Sequence, residues 1–150
     1  MMSELNFEIK DFNQLSTQDL YAVLQLRSEV FVVEQDCVYL DLDGKDQLAY
    51  HVLGYKDSKL IAYARVFKPG DYFSKSSIGR IIVKKEYRRF KYGDHLVQNS
   101  IGFIEKKFKE KEILISAQAY LINFYNNLGF VQKGEQYLED DIPHIKMLKC

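Results

Sequence analysis

Residues 77–94 read SIGRIIVKKEYRRFKYGD, and the order of chemistries in that stretch decides the fold. Ser77 to Val83 is an apolar, β-branched run of strand character. It passes into KKEYRRFK, residues 84–91, where five basic side chains stand against Glu86 for a net charge of +4. Gly93 and Asp94 follow, and Asp94 suits a helix N-cap. From there Val97, Ile101, Ile104 and Phe108 recur at the spacing of one helical face. A basic loop that feeds a helix N-terminus aims several backbone N–H groups at one point, where the helix dipole also favours negative charge. Arg88, Arg89 and Lys91 would reinforce such an anion site, since guanidinium groups pair phosphate oxygens in a bidentate way. No GxxxxGK[ST] is present, and a single glycine cannot make the dinucleotide fingerprint.

Working outward, Asn6 to Lys10 alternates like a short strand, and Ser16 with Asp19 three positions on forms a helix-start signal. Leu20, Val23, Leu24 and Phe31 predict a helix over about 17–33. An acidic run, EQDCVYLDLDGKD at 34–46, reads as a loop with a net charge of −4. His51 to Tyr55 and Leu60 to Phe67 flank Lys56–Lys59 as a hairpin, closed by Lys68-Pro69-Gly70. Beyond the 94–108 helix, Ile113 to Ser116 is a strand and Tyr120 to Leu128 a helix ended by Gly129. Val131 and Ile145 to Leu148 supply closing strands, and Glu135, Glu139, Asp140 and Asp141 make a second acidic group near the end. The expected class is α/β (α+β), with a mixed, mostly antiparallel central sheet flanked by helices in one domain over residues 1–150.

Composition narrows the function. With 47% hydrophobic residues among 150, the chain buries a full core without disulfides or metals. Basic and acidic residues both number 21, so the basic excess that a general nucleic-acid binder needs is missing. No apolar run reaches the ~18 residues of a membrane span and no signal-peptide core precedes Ser16. Cys37 and Cys150 form neither a disulfide framework nor a metal knuckle, and a cytoplasmic protein is expected.

Arg88-x-x-Lys91-x-Gly93 after a strand resembles the [QR]-x-x-G-x-[GA] pyrophosphate loop of the GNAT superfamily of acyl-CoA-dependent N-acetyltransferases. Lys91 departs from it, standing where the first glycine is usual. Ala117-Gln118-Ala119-Tyr120-Leu121-Ile122-Asn123-Phe124-Tyr125-Asn126-Asn127-Leu128-Gly129-Phe130 is similar to that superfamily's second acetyl-CoA signature, with its terminal FY…GF. A narrower resemblance, to the ElaA-like acetyltransferases, covers nearly the whole chain. It rests on Leu26-Arg27 with Val30-Phe31-Val32-Val33-Glu34-Gln35, then Asp41-x-Asp43-Gly44-x-Asp46, His51, Ala62-Tyr63-Ala64-Arg65, Ile78-Gly79-Arg80, Ser116-Ala117-Gln118-Ala119 and Ile142-Pro143-His144-Ile145.

The resemblance implies the GNAT fold and direct attack of an amine on the acetyl-CoA thioester, with CoA as co-substrate and no metal. Its pyrophosphate would lie on the backbone of Arg88, Arg89, Phe90, Lys91, Tyr92, Gly93 and Asp94. The thioester oxygen would meet a backbone N–H around Ile81, Ile82 and Val83. Tyr125 matches the usual position of the acid that protonates the leaving thiolate, and Gln118 stands where many relatives carry a cofactor-contacting asparagine. A lysine-like amine of pKa about 10.4 also needs a base, for which Glu34, His51 and His144 are candidates. Arg27, Asp43, Asp46 and His144 are candidate contacts of the acceptor, a small-molecule or protein amine, and a homodimer is compatible with the sequence. The competing readings are an acyl-homoserine-lactone synthase, on Arg27-x-x-Val30-Phe31 with Asp43-x-x-Asp46, and a non-catalytic acyl-CoA-binding or interaction module.

Overall fold

Three successive antiparallel ladders build the front half of the chain, in a computed structural model that describes residues 5–150. Strand β1 (Asn6–Asp11) pairs with β2 (Tyr50–Lys56), β2 with β3 (Lys59–Phe67), and β3 with β4 (Ser77–Val83). Between β1 and β2 the chain makes helix α1 (Thr17–Arg27), started by a reciprocal Ser16–Asp19 capping box. Helix α2 (Tyr92–Lys107) follows β4. The back half forms a second sheet, in which β8 (Ile142–Lys149) pairs with β5 (Ile113–Gln118), β6 (Val131–Gln132) and β7 (Tyr137–Glu139). Helix α3 (Ile122–Asn127) joins β5 to β6 and ends at Gly129, whose φ of +96° is the left-handed conformation expected there. The expected α+β, mostly antiparallel class holds. Strand β7 is an element that the sequence reading does not contain.

Each face of the first sheet carries one helix. Tyr92, Leu96, Val97, Ser100, Ile101 and Ile104 form the buried stripe of α2, packed with Val52, Ala62, Ala64, Val66 and Ile78. Val23, Leu26 and Val30 pack from the α1 side against Leu53, Tyr63 and Ile82. Burying an aliphatic side chain of this size contributes about 1.5–3 kcal/mol, so these two stripes fix where the helices sit. Ile78 and Ile82 are four residues apart on one strand yet belong to opposite faces. The ladder explains it: Tyr63 pairs with Ile82 and Arg65 with Gly79, so Arg80 and Ile81 together oppose the single Ala64. This bulge reverses the alternation along β4, and Arg80 takes a φ of +48° within it.

Two helix boundaries differ from the sequence reading. The helix expected over 17–33 is α-helical only to Arg27, and Ser28–Glu34 continues as a π-helix, with Gln35 N–H bonded to Val30 O at 3.2 Å. Val30, Val32 and Val33 are β-branched and crowd a tight helical turn, which favours the wider winding. Helix α2 begins at Tyr92, so Asp94 lies in its first turn and does not cap it. No helix among the described residues is long and apolar enough to cross a membrane.

Candidate active site

Among the described residues the backbones of the two sheets are joined by a parallel bridge between Ser76 and Ile113, with Leu114 N–H donating to Ser76 O at 2.8 Å. Beyond it β4 and β5 diverge, and the gap is a cleft of about 660 Å³. One wall is the bulged β4 from Ser77 to Val83, with the loop that leads into α2. The other is formed by Ile115, Ser116 and Gln118 of β5 with Tyr125 of α3, and the π segment and the β7–β8 turn close the ends. A bulge leaves an extra residue unpaired in the ladder, and its two residues, Arg80 and Ile81, both line the cleft.

At one end lies the basic loop. Arg89 and Lys91 both adopt left-handed backbone, with φ of +77° and +62°, and no side chain caps the first turn of α2. Orphan N–H groups and the dipole of a 16-residue helix therefore meet the cleft beside Arg88, Arg89 and Lys91. Ile81, Ile82, Val83, Tyr92, Gly93 and Asp94 line the cleft as well, whereas Phe90 does not: its ring is partly exposed and leans on Tyr92. That removes Phe90's side chain from the expected cofactor contacts. Arg88 holds Glu34 in a bidentate pair, at 2.6 and 2.9 Å, while its Nε donates to Val83 O at 2.8 Å. The Arg88 guanidinium holds the Glu34 carboxyl below the usual carboxylate range, which makes Glu34 a poor base.

Tyr125 is buried between Phe124 and Phe130, in edge-to-face contact with both, and still lines the cleft. Burial, with Tyr120 nearby, pushes its phenol above the ordinary value of 10, so the proton is held at neutral pH. Gln118 faces Gln35 of the π-helix cap across the cleft, their amides exchanging weak contacts at 3.5 and 3.4 Å. The π segment thus reaches both walls, through Glu34 to the basic loop and through Gln35 to β5. Gln35 stands in the stretch that carries the ElaA-like resemblance, but the helical reading gives it no role because it does not foresee the extra winding that aims it.

Four other expected site residues lie elsewhere. Arg27 is fully buried and donates to Asp41 at 2.8 Å and Asp46 at 2.7 Å, and Arg65 donates to Asp43 and Asp46. Arg80, turned by the bulge, adds a 2.8 Å bond to Asp41. Arg27, Asp43 and Asp46 therefore knit the acidic loop to the sheet and do not line the cleft; their buried charges are matched by one another. His51 is also fully buried, outside the cleft lining. Its Nε2–H donates to Asp46 O at 2.9 Å, leaving Nδ1 to accept from the Tyr63 hydroxyl at 2.6 Å. Both ring nitrogens are engaged and burial pushes its pKa below 6.5, so His51 is a structural residue and not a base in the cleft. His144, by contrast, lines the cleft, as do Glu139, Tyr72 and Phe73. The two aromatic residues and the bulged Arg80 are absent from the sequence-based candidates.

The chain matches the acetyltransferase (GNAT) domain family over residues 12–150. It is 43% identical to the protein ElaA of Escherichia coli strain K12 over 139 residues, covering 91% of each. The crystal structure of Escherichia coli ElaA superposes with a TM-score of 0.90 at 40% identity, covering 97% of this chain and 99% of that one. An acyl-CoA N-acyltransferase from Pseudomonas aeruginosa gives a TM-score of 0.90 at 38% identity, covering 97% and 100%. The overall architecture thus has its counterpart in a known fold, and the chain belongs to the GNAT acetyltransferase family, among its ElaA-like members.

Proposed function

We propose that the protein transfers the acetyl group of acetyl-CoA to a primary amine by direct attack, without an acyl-enzyme. The observation that carries this reading is a single cleft lined both by the basic entrance of α2 and by the protonated phenol of Tyr125. The N–H groups of residues 88–94 and the dipole of α2 bind the pyrophosphate. Backbone N–H groups of the bulged segment, Arg80 to Val83, donate to the thioester oxygen as it gains charge. Tyr125 donates a hydrogen bond to the sulfur as the thiolate forms. A phenol raised above 10 is a weaker acid than a thiol near 8.5, so the sulfur's final proton exchanges with solvent through it. Cys37 also lines the cleft, but partial burial and the charges of Asp140, Asp141 and Asp36 push its thiol up, which disfavours a thiolate nucleophile and favours direct attack.

The test is turnover of a primary-amine panel with acetyl-CoA, followed by free thiol and product mass. Tyr125→Phe should lower kcat by about 10²-fold and leave the acetyl-CoA Kd unchanged. Acetyl-CoA that neither binds nor raises the thermal midpoint in excess would remove the reading altogether. Tight binding with no turnover on any amine would leave a CoA-binding module in its place.

A further inference from the structure

At the end of the cleft away from the basic loop, β7 and β8 bring His144 and Glu139 together. Ring nitrogen Nδ1 of His144 lies 2.7 Å from the Ile142 carbonyl oxygen, which only accepts, so Nδ1 carries the proton. The other nitrogen, Nε2, is then a bare acceptor in the neutral ring, 3.5 Å from Glu139 Oε2. Glu139 is fixed through its second oxygen, which accepts from the Ser116 hydroxyl at 3.1 Å, and Ser116 in turn is bonded to the Tyr137 hydroxyl. The Tyr137 ring stacks on that of His144 and holds its plane. With the ring neutral, Nε2 and Glu139 Oε2 are two acceptors facing each other at 3.5 Å, and a donor is needed between them. A primary ammonium, with three N–H groups, supplies one to each.

From this juxtaposition we infer that Glu139 and His144 form the acceptor subsite, Glu139 binding the substrate as its ammonium and His144 Nε2 removing the proton that the nitrogen must lose before it attacks. The inference rests on the acetyltransferase reading and specifies its substrate class: a primary amine whose adjoining carbons meet the aromatic wall of Tyr72 and Phe73. The balance is simple. The ammonium gives one proton to Nε2, the freed lone pair forms the C–N bond, and the C–S bond breaks. A second N–H proton leaves the tetrahedral nitrogen; of the two protons, one ends on sulfur and one in solvent. Glu139 steadies the imidazolium in the interval.

The ionisable groups around His144 are few. Glu139 and Tyr137 come from β7, and Lys146 lies two residues along β8, its ammonium 4.9 Å over the Phe73 ring. The cross-strand neighbour of His144 on β5 is the neutral Gln118. Cys37, Tyr39, Arg65, Tyr72, Arg80 and Asp140 also line the cleft on that side, with Arg65 already committed to Asp43 and Asp46 and Arg80 to Asp41.

The experiment compares wild type, His144→Gln and Glu139→Gln with acetyl-CoA and a series of alkyl and arylalkyl primary amines, over a range of pH. His144→Gln should lower kcat by about 10²-fold at neutral pH with acetyl-CoA Kd and thermal midpoint unchanged. Its deficit should shrink as the pH rises toward 10, because the amine then arrives already neutral; a structural role would leave the deficit constant. Glu139→Gln should raise the KM of the amine about 5- to 10-fold with a smaller effect on kcat. A His144→Gln variant as active as wild type, or a deficit that does not change with pH, overturns the role of His144. An unchanged KM in Glu139→Gln overturns the ammonium subsite. Wild type that binds acetyl-CoA but acetylates no amine overturns the acetyltransferase reading itself, and this subsite with it.

Discussion

At the level of single residues, Lys91 carries the clearest conflict between local conformation and side chain. It precedes α2 with φ +62° and ψ +19°, a left-handed conformation that costs an L-residue roughly 1–2 kcal/mol and a glycine almost nothing. The pyrophosphate-loop resemblance marks this position, since a glycine is usual there. The strain is explained if the ammonium is kept for the anion. Lys91→Ala and Lys91→Gly separate the two effects, because both remove the charge and only Ala keeps the Cβ. Urea denaturation should find Lys91→Gly the more stable by up to about 1 kcal/mol. Both variants should bind acetyl-CoA more weakly than wild type, and equal stability of the two would mean that residue 91 is not left-handed in solution. Tyr125, Gln118, Ile81 to Val83 and, Phe90 apart, Arg88 to Asp94 line the cleft, and the sequence marked them through the motifs that carry the family resemblance. The place of His51 was not legible, because titration near neutrality is a property of the residue type, while burial and two hydrogen bonds are properties of the fold.

Among the elements, the strand ladders and the buried stripe of α2 follow directly from apolar periodicity, whereas the features that shape the cleft do not. A bulge on β4 and a π segment after α1 each insert winding that period counting passes over. Together they aim Arg80, Glu34 and Gln35. The acidic loop is a similar case: its charge suggested a surface for a cationic acceptor, and the structure consumes that charge internally against Arg27, Arg65 and Arg80. This pairing has a pH signature. Burial acts to raise Asp43, yet the hydrogen bonds and charge of Arg65 win and hold it at about 2, and Asp46 is also lowered by Arg27 and Arg65 against its burial. A carboxylate depressed in the folded state binds fewer protons than in the unfolded chain. Its contribution is therefore complete above the ordinary value of 3.8 and is lost as pH falls through about 2. Stability from urea unfolding should decline as the pH is lowered from about 4 to about 2, and Asp43→Asn should flatten part of that decline while lowering stability at neutral pH.

For the whole molecule, a net charge of zero conceals an uneven spread of uncommitted charge along the cleft, since Arg65 and Arg80 in its lining are already paired with Asp43, Asp46 and Asp41. Arg88, Arg89 and Lys91 line the end at α2, opposed there by Glu34 and Asp94, while Glu139 and Asp140 line the end at the β7–β8 turn. Helix α2 adds its positive terminus to the first end. On the proposed function, a cleft with that polarity would receive an anionic donor and a cationic acceptor from opposite sides, and its charges are open enough to be screened. The Debye length falls from about 8 Å near physiological salt to about 3 Å at 1 M. Initial-rate measurements across that range should therefore show the KM of acetyl-CoA and the KM of a primary ammonium acceptor both rising with salt. Once both substrates saturate, kcat should stay nearly flat, because bond making occurs among buried groups such as Tyr125. Charge reversal distinguishes the two ends: Arg89→Glu should weaken acetyl-CoA binding and reduce its salt dependence without changing that of the amine. A KM for acetyl-CoA indifferent to salt would place its phosphates away from the α2 entrance.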